Sequence, residues 1–137
     1  MTKTIYCCQC RQNVEARLTN GQEVYAKRTD LSKLPFWICD TCHNWVGCHH
    51  KTKNRTKPLG VIPSHDIKKA RSHIHAILDP IWITSRRTRS SVYKRIAEEL
   101  GKEVYHTADI RTIEEARDVY RIVRKIAKEQ AEAQNVI

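Results

Sequence analysis

The sequence predicts an α+β fold: a small four-cysteine zinc-ribbon β lobe packed on a three-helix C-terminal lobe. Three observations predict it. Two C-x-x-C pairs, Cys7/Cys10 and Cys39/Cys42, lie in the first third of the chain. The first third reads as short strands, with Val14 to Leu18 alternating apolar and polar residues at the period of a strand. From residue 64 onward, apolar residues recur every three or four positions, which is the period of a helix. A chain of 137 residues has room for one domain or two small lobes. The change in period divides it into 1–60, the zinc-ribbon lobe with a basic loop, and 61–137, the helical lobe.

The elements follow in order. Val14-Glu-Ala-Arg-Leu18 alternates and reads as a strand. Asn20-Gly21 follows, a pair that tolerates positive φ and marks a hairpin, with Val24-Tyr25-Ala26 as the returning strand. Pro35-Phe-Trp-Ile38 leads into the second cysteine pair, and Trp45-Val-Gly47 leaves it. Residues 48–60 are polar and aperiodic, a loop. Ser64 can cap a helix that buries Ile67, Ala70, Ile74, Ile77 and Leu78, and Pro80 should end or kink it. A second helix from about Ser90 to Leu100 places Val92, Tyr93, Ile96, Ala97 and Leu100 on one face, with Gly101 as its left-handed cap. Thr112-Ile-Glu-Glu115 opens a third with a capping-box pattern. Its apolar stripe is Ile113, Ala116, Val119, Tyr120, Val123, Ile126 and Ala127, and the tail after Gln130 should fray. Early acids and late cations on this helix suit its dipole.

The cysteine pattern is the most specific signal. Two residues between cysteines let a tight turn aim both sulfurs at one ion. Two such turns, separated by 28 residues, complete a tetrahedral sulfur set that favours Zn²⁺. Competing readings are a redox C-x-x-C, an iron centre on the same four ligands, and a rearranged site drawing on Cys8, His43, Cys48 or His49. Four thiolates leave no open coordination position, so the ion is structural and carries no catalytic water.

Charge narrows the partner. The chain carries a net +10, and residues 43–95 hold twelve Lys/Arg against two Asp/Glu. A concentrated positive field suits a polyanion, because each phosphate contact releases condensed counterions. The expected nucleic-acid contacts are Lys51, Lys53, Arg55 and Lys57 on the loop, and Arg86, Arg87, Arg89, Lys94 and Arg95 further on. Trp37, Trp45 and Trp82 are either stacking faces or core residues. His75 and Asp79 stand four apart on one helix face, as a base and its orienting carboxylate or as a plain surface hydrogen bond. With His49 they are the candidate catalytic residues of a nuclease-like hydrolase, a reading ranked below nucleic-acid binding. The other alternative is a protein-interaction module whose basic face meets an acidic surface. No apolar run is long enough for a transmembrane helix, and no signal-peptide core precedes Cys7, so a cytoplasmic protein without membrane contact is expected.

Ordered motifs extend this reading. They are Cys7-x-x-Cys10, Val24-Tyr25, Trp37-Ile-Cys-Asp-Thr-Cys42, and Trp45-Val-Gly-Cys-His49. Lys57-Pro-Leu-Gly60, Ala70-Arg71, and His75-Ala-Ile-Leu-Asp-Pro-Ile-Trp82 follow, and then Arg89, Tyr93 and Ile96-Ala-Glu-Glu-Leu-Gly101. As a set, over about residues 5–106, they resemble the zinc-finger-containing domain of unknown function found in bacterial, prophage and phage proteins. The resemblance implies a zinc-binding fold in a mobile-element setting, and a host or phage factor as the target if the partner is a protein. It also implies a shared feature beside the zinc lobe, a site or a packing joint, made from Gly47-Cys-His49, Pro58-Leu-Gly60, His75, Asp79, Trp82 and Arg89.

Overall fold

The structure is a computed structural model that describes residues 1–83 and 88–135. The chain divides into two compact units, Met1–His65 and Asp66–Ile137.

The first unit is a four-stranded antiparallel sheet in sequential order. Its strands are β1 (Thr2–Cys7), β2 (Gln12–Asn20), β3 (Pro35–Ile38) and β4 (Trp45–Gly47). Side chains alternate across the sheet, so one face collects every second residue. Ile5 and Cys7, then Ala16, then Trp37 and Cys39, then Val46 and Cys48 form the core of that face, closed by Ile62. On the other face Tyr25 packs edge-on against Phe36 at 5.6 Å and Trp45 at 5.3 Å.

Two expectations fail here. Asn20-Gly21 does not turn a hairpin. The Asn20 side chain accepts from the backbone N–H of Gln22 and Glu23 and caps a one-turn helix, α1 (Gly21–Val24). Val24-Tyr25 is therefore not a strand. The hairpin partner of β2 is β1, paired Thr2↔Arg17 through Cys7↔Gln12. Ile62 belongs to the first unit, which runs to His65. The Ile62 N–H donates to Tyr6, the Cys8 N–H donates to Ile62, and Ile62 is fully buried.

The second unit is helical: α2 (His65–Ile83), α3 (Arg89–Leu100) and α4 (Ile113–Asn135). Ile67, Ile74, Leu78 and Ile81 line the buried side of α2. Val92, Ile96 and Ala97 do so on α3, and Ala116, Val119, Val123 and Ile126 on α4. Two caps fall where the sequence places them: Thr112 accepts the Glu115 N–H, and Gly101 adopts φ 72°. A third was not read from the sequence: Thr88 accepts the Ser91 N–H at the start of α3. Pro80 does not end α2, which continues to Ile83. Proline removes only one helical hydrogen bond this close to the terminus, and burial of Ile81, whose carbonyl accepts from Gln130, holds the last turn. α4 runs to Asn135. Arg95 to Glu129 and Lys125 to Glu99 join α3 to α4 in antiparallel register. No helix among the described residues is long and apolar enough to cross a membrane.

Gly21 gives the fold a direct test. A Cβ there would stand 1.8 Å from the Leu31 carbonyl oxygen, and backbone cannot swing aside as a side chain can. Gly21→Ala should destabilise the first unit by about 2 kcal/mol or more, read as a lower urea midpoint in tryptophan fluorescence. An unchanged midpoint would mean that residues 29–34 are not packed against this turn.

Candidate metal centre

The topology brings the two cysteine pairs together. The first pair sits in the β1–β2 turn and the second in the β3–β4 turn. β2 leaves its turn and β3 enters the other, and the two strands are antiparallel neighbours, Arg17 opposite Ile38. Both turns therefore lie at the same end of the sheet.

The turns repeat one geometry. The Arg11 N–H donates to the Cys7 carbonyl at 2.8 Å, and the His43 N–H donates to the Cys39 carbonyl at 2.7 Å. Each of these residues directly follows the second cysteine of its pair, and each is left-handed, with φ 58° at Arg11 and 66° at His43. The sulfurs turn inward onto backbone donors. Cys7 accepts from the Cys10 N–H, Cys39 from the N–H of Cys42 and Thr41, and Cys42 from that of Asn44.

The four Sγ atoms lie within 4.8 Å of one another. Cys7 to Cys42 is 3.5 Å and Cys10 to Cys39 is 3.7 Å. A disulfide would need about 2.0 Å. A tetrahedral zinc with sulfurs at about 2.3 Å sets them about 3.8 Å apart. The donor set and its spacing thus fit one structural zinc ion on Cys7, Cys10, Cys39 and Cys42. Crowding makes the thiols hold their protons: burial pushes Cys42 up to about 11, and it raises Cys7 and Cys10 as well. Burial acts on Cys39 in the same sense, but the Cys42 and Thr41 N–H groups and the neighbouring Cys42 and Cys10 thiols together leave it below its ordinary value. A dication reverses this balance, since each ligand binds it as thiolate. When bound, the ion supplies folding free energy, roughly 10–16 kcal/mol in small zinc units.

Arg17 braces the second turn. Its guanidinium donates to Asp40, inside that turn, at 2.8 Å and to Glu23 at 2.9 Å. The pairing holds both carboxyls below the usual carboxylate range. Sequence reading missed Arg17, Asp40, Arg11 and His43. The ligand spacing marks where the two left-handed residues stand, but neither Arg nor His advertises that conformation.

The rearranged sites do not form among the described residues, where the four-cysteine group is the metal-holding cluster of this kind. Cys48 lies in the sheet core, its thiol raised by burial next to Trp37. His49 belongs to the loop that follows β4; its N–H donates to Lys57. His75 and Asp79 meet on α2 at 3.2 Å, both partly exposed, whereas His49 lies in the other unit. Lys51, Lys53, Arg55 and Lys57 are all exposed on the loop. In the second unit Arg89 lies over the rings of Trp82 and Tyr93, at 5.5 and 5.2 Å. Lys94 is exposed, and Arg95 is committed to Glu129. Arg86 and Arg87 lie outside the described residues.

Two substitutions separate ligand from scaffold. Cys10→Ser should lower zinc affinity by far more than the roughly 10–100-fold expected for a group that only supports a ligand, measured by competition with a chromophoric chelator. His43→Gly removes a Cβ from a left-handed residue and should leave affinity intact while stabilising the loaded protein by up to about 1 kcal/mol. A marked loss of affinity in His43→Gly would mean that the imidazole itself serves the metal.

A family model for a zinc-finger-containing domain matches residues 3–129, well past the motifs that end near residue 106. No curated protein and no solved structure matches the chain. Nearly the whole sequence fits the model, and the four cysteines gather as zinc ligands, so the chain belongs to this zinc-finger-containing domain family.

Proposed function

We propose that the protein binds nucleic acid, chiefly through the phosphate backbone, and that zinc holds the binding loop in shape. The supporting observation is the loop after β4. Cys48 pairs with Pro58, the Leu59 N–H donates to Gly47, and the Trp37 indole N–H donates to the Thr56 carbonyl at 2.6 Å. The loop is thereby tied at its neck and anchored to a core tryptophan. Lys51, Lys53, Arg55 and Lys57 project from it, exposed, and none forms an ion pair with another described residue. Four exposed cations on one loop, none of them in an ion pair with a described residue, suit contact with a phosphate backbone. Asn54 and Thr52 add neutral hydrogen-bonding groups of the kind that position a backbone without reading bases.

Arg89 and Lys94 are a second, independent group of contacts; Arg95 is not, because Glu129 already neutralises it. Trp37 is spent on the core, Trp45 packs against Tyr25, and Trp82 packs against Tyr93 beneath Arg89, so this reading assigns no stacking role to the tryptophans. A cytoplasmic setting of the phage or prophage type accompanies this reading.

The test is a mobility-shift series on zinc-loaded protein with single- and double-stranded DNA and RNA. Log affinity should fall linearly with log salt. Replacing Lys51, Lys53, Arg55 and Lys57 together by Ala should weaken every duplex sequence alike and flatten the slope by up to about 3.6, at about 0.9 per phosphate contact. An unchanged slope, or binding that ignores salt, contradicts the proposal.

A further inference from the structure

The second unit carries a feature that the nucleic-acid reading leaves unused. Within it, α2 and α4 flank a groove of about 460 Å³. Ala70 and Ile74 of α2 and Ile113, Ala116 and Tyr120 of α4 give it an apolar floor. The remaining lining residues are His73, Arg117 and Arg121, and no acid is among them.

The cations of α4 fall into two sets. Lys125, with Glu129, faces α3 and is used up in the bridges to Glu99 and Arg95. Arg117, Arg121, Arg124 and Lys128 recur at i, i+4, i+7 and i+11 and are all exposed. That spacing makes one stripe about 16 Å long on a single helix face. The stripe borders the groove: Arg117 and Arg121 line it, and Arg124 lies 5.8 Å from the ring of Tyr120. Arg121 pairs with Asp118, whereas Arg117 and Lys128 have no ion-pair partner among the described residues. Dipole complementarity accounts for cations in the last turns of a helix, but not for a stripe that starts at its second turn.

We propose that this groove docks an acidic amphipathic helix of a partner protein. Apolar side chains at helical spacing enter the groove, and carboxylates along the helix flank meet the arginine stripe. The chemistry selects this occupant over others. A nucleic acid brings phosphates for the stripe but nothing aliphatic for the floor, and the Tyr120 ring is already covered by Arg124. A second copy of this chain brings the same cations and is repelled.

The test uses the zinc-loaded full chain and three labelled helical peptides of about 16 residues, long enough to run past the stripe. One carries leucines at i, i+3, i+4 and i+7 flanked by glutamates. The second has lysine for each glutamate, and the third has serine for each leucine. By anisotropy at about 150 mM salt, the acidic leucine peptide should bind at least about tenfold more tightly than either control. The double substitution Arg117→Glu, Arg121→Glu should reverse the preference between the first two peptides. Ala70→Trp should block all binding while leaving the helical circular-dichroism signal in place. Loop variants at Lys51 to Lys57 should not affect the peptide, which separates this proposal from nucleic-acid binding. Equal binding of the lysine peptide, no binding of the acidic peptide, displacement of it by an oligonucleotide through the same arginines, or self-association through this groove would overturn the proposal. The wild-type comparison decides it even if a variant fails to fold.

Discussion

Four sulfurs meeting at one end of a sheet constrain everything in the first sixty-five residues. Two of the strands they join are short, three residues in β4 and four in β3, and the core the sheet shares is small. Short strands with little apolar area do not outweigh the conformational entropy of ordering them. A common ion for Cys7, Cys10, Cys39 and Cys42 ties two hairpin turns that are distant in sequence, so the sheet register and the metal geometry enforce each other. The cost is visible in the backbone, where Arg11 and His43 accept left-handed angles that glycine would adopt freely. The loop of Lys51 to Lys57 inherits its shape from this arrangement, because Trp37 and Cys48, which anchor it, belong to the same core as two of the ligands.

The second unit is held differently. Its three helices bury a continuous aliphatic core, and its charges are sorted rather than scattered. Acid–base pairs across α3 and α4 are each worth little by themselves, but they fix an antiparallel register and consume particular cations. Arg117 and Lys128 on the outer face of α4, together with Arg89 and Lys94, are among the cations available to a partner. A single net charge for the whole chain conceals this division.

The sequence was most legible where chemistry demands a pattern. C-x-x-C spacing identified the ligand set, the period-two pattern of Val14 to Leu18 identified part of β2, the apolar runs beside Cys39 and Cys42 identified β3 and β4, and the period-3.6 pattern identified all three long helices, with Thr112 and Gly101 as caps. Local signals misled where a long-range contact overruled them. Asn20-Gly21 has hairpin chemistry, yet Gly21 is required by the Leu31 carbonyl passing close above it, and Asn20 serves a helix cap instead. Pro80 carries a breaker's signal, but burial of Ile81 outweighs a single missing hydrogen bond. Arg95 looked like a free cation because Glu129, its partner, stands thirty-four positions away. The groove beside α4 was illegible for the same reason: its two walls come from separate helices, and only the fold brings Ile74 near Ala116.

Hydrogen exchange resolved by residue, before and after stripping the metal with a strong chelator, tests whether the four thiolates hold the first unit together. Amides of β1 to β4 and of the Lys51–Lys57 loop should lose protection together, at one chelator concentration, while those of α2, α3 and α4 keep theirs. If the sheet amides stay protected once the metal is gone, the four thiolates do not hold this unit together, and its shape has another origin.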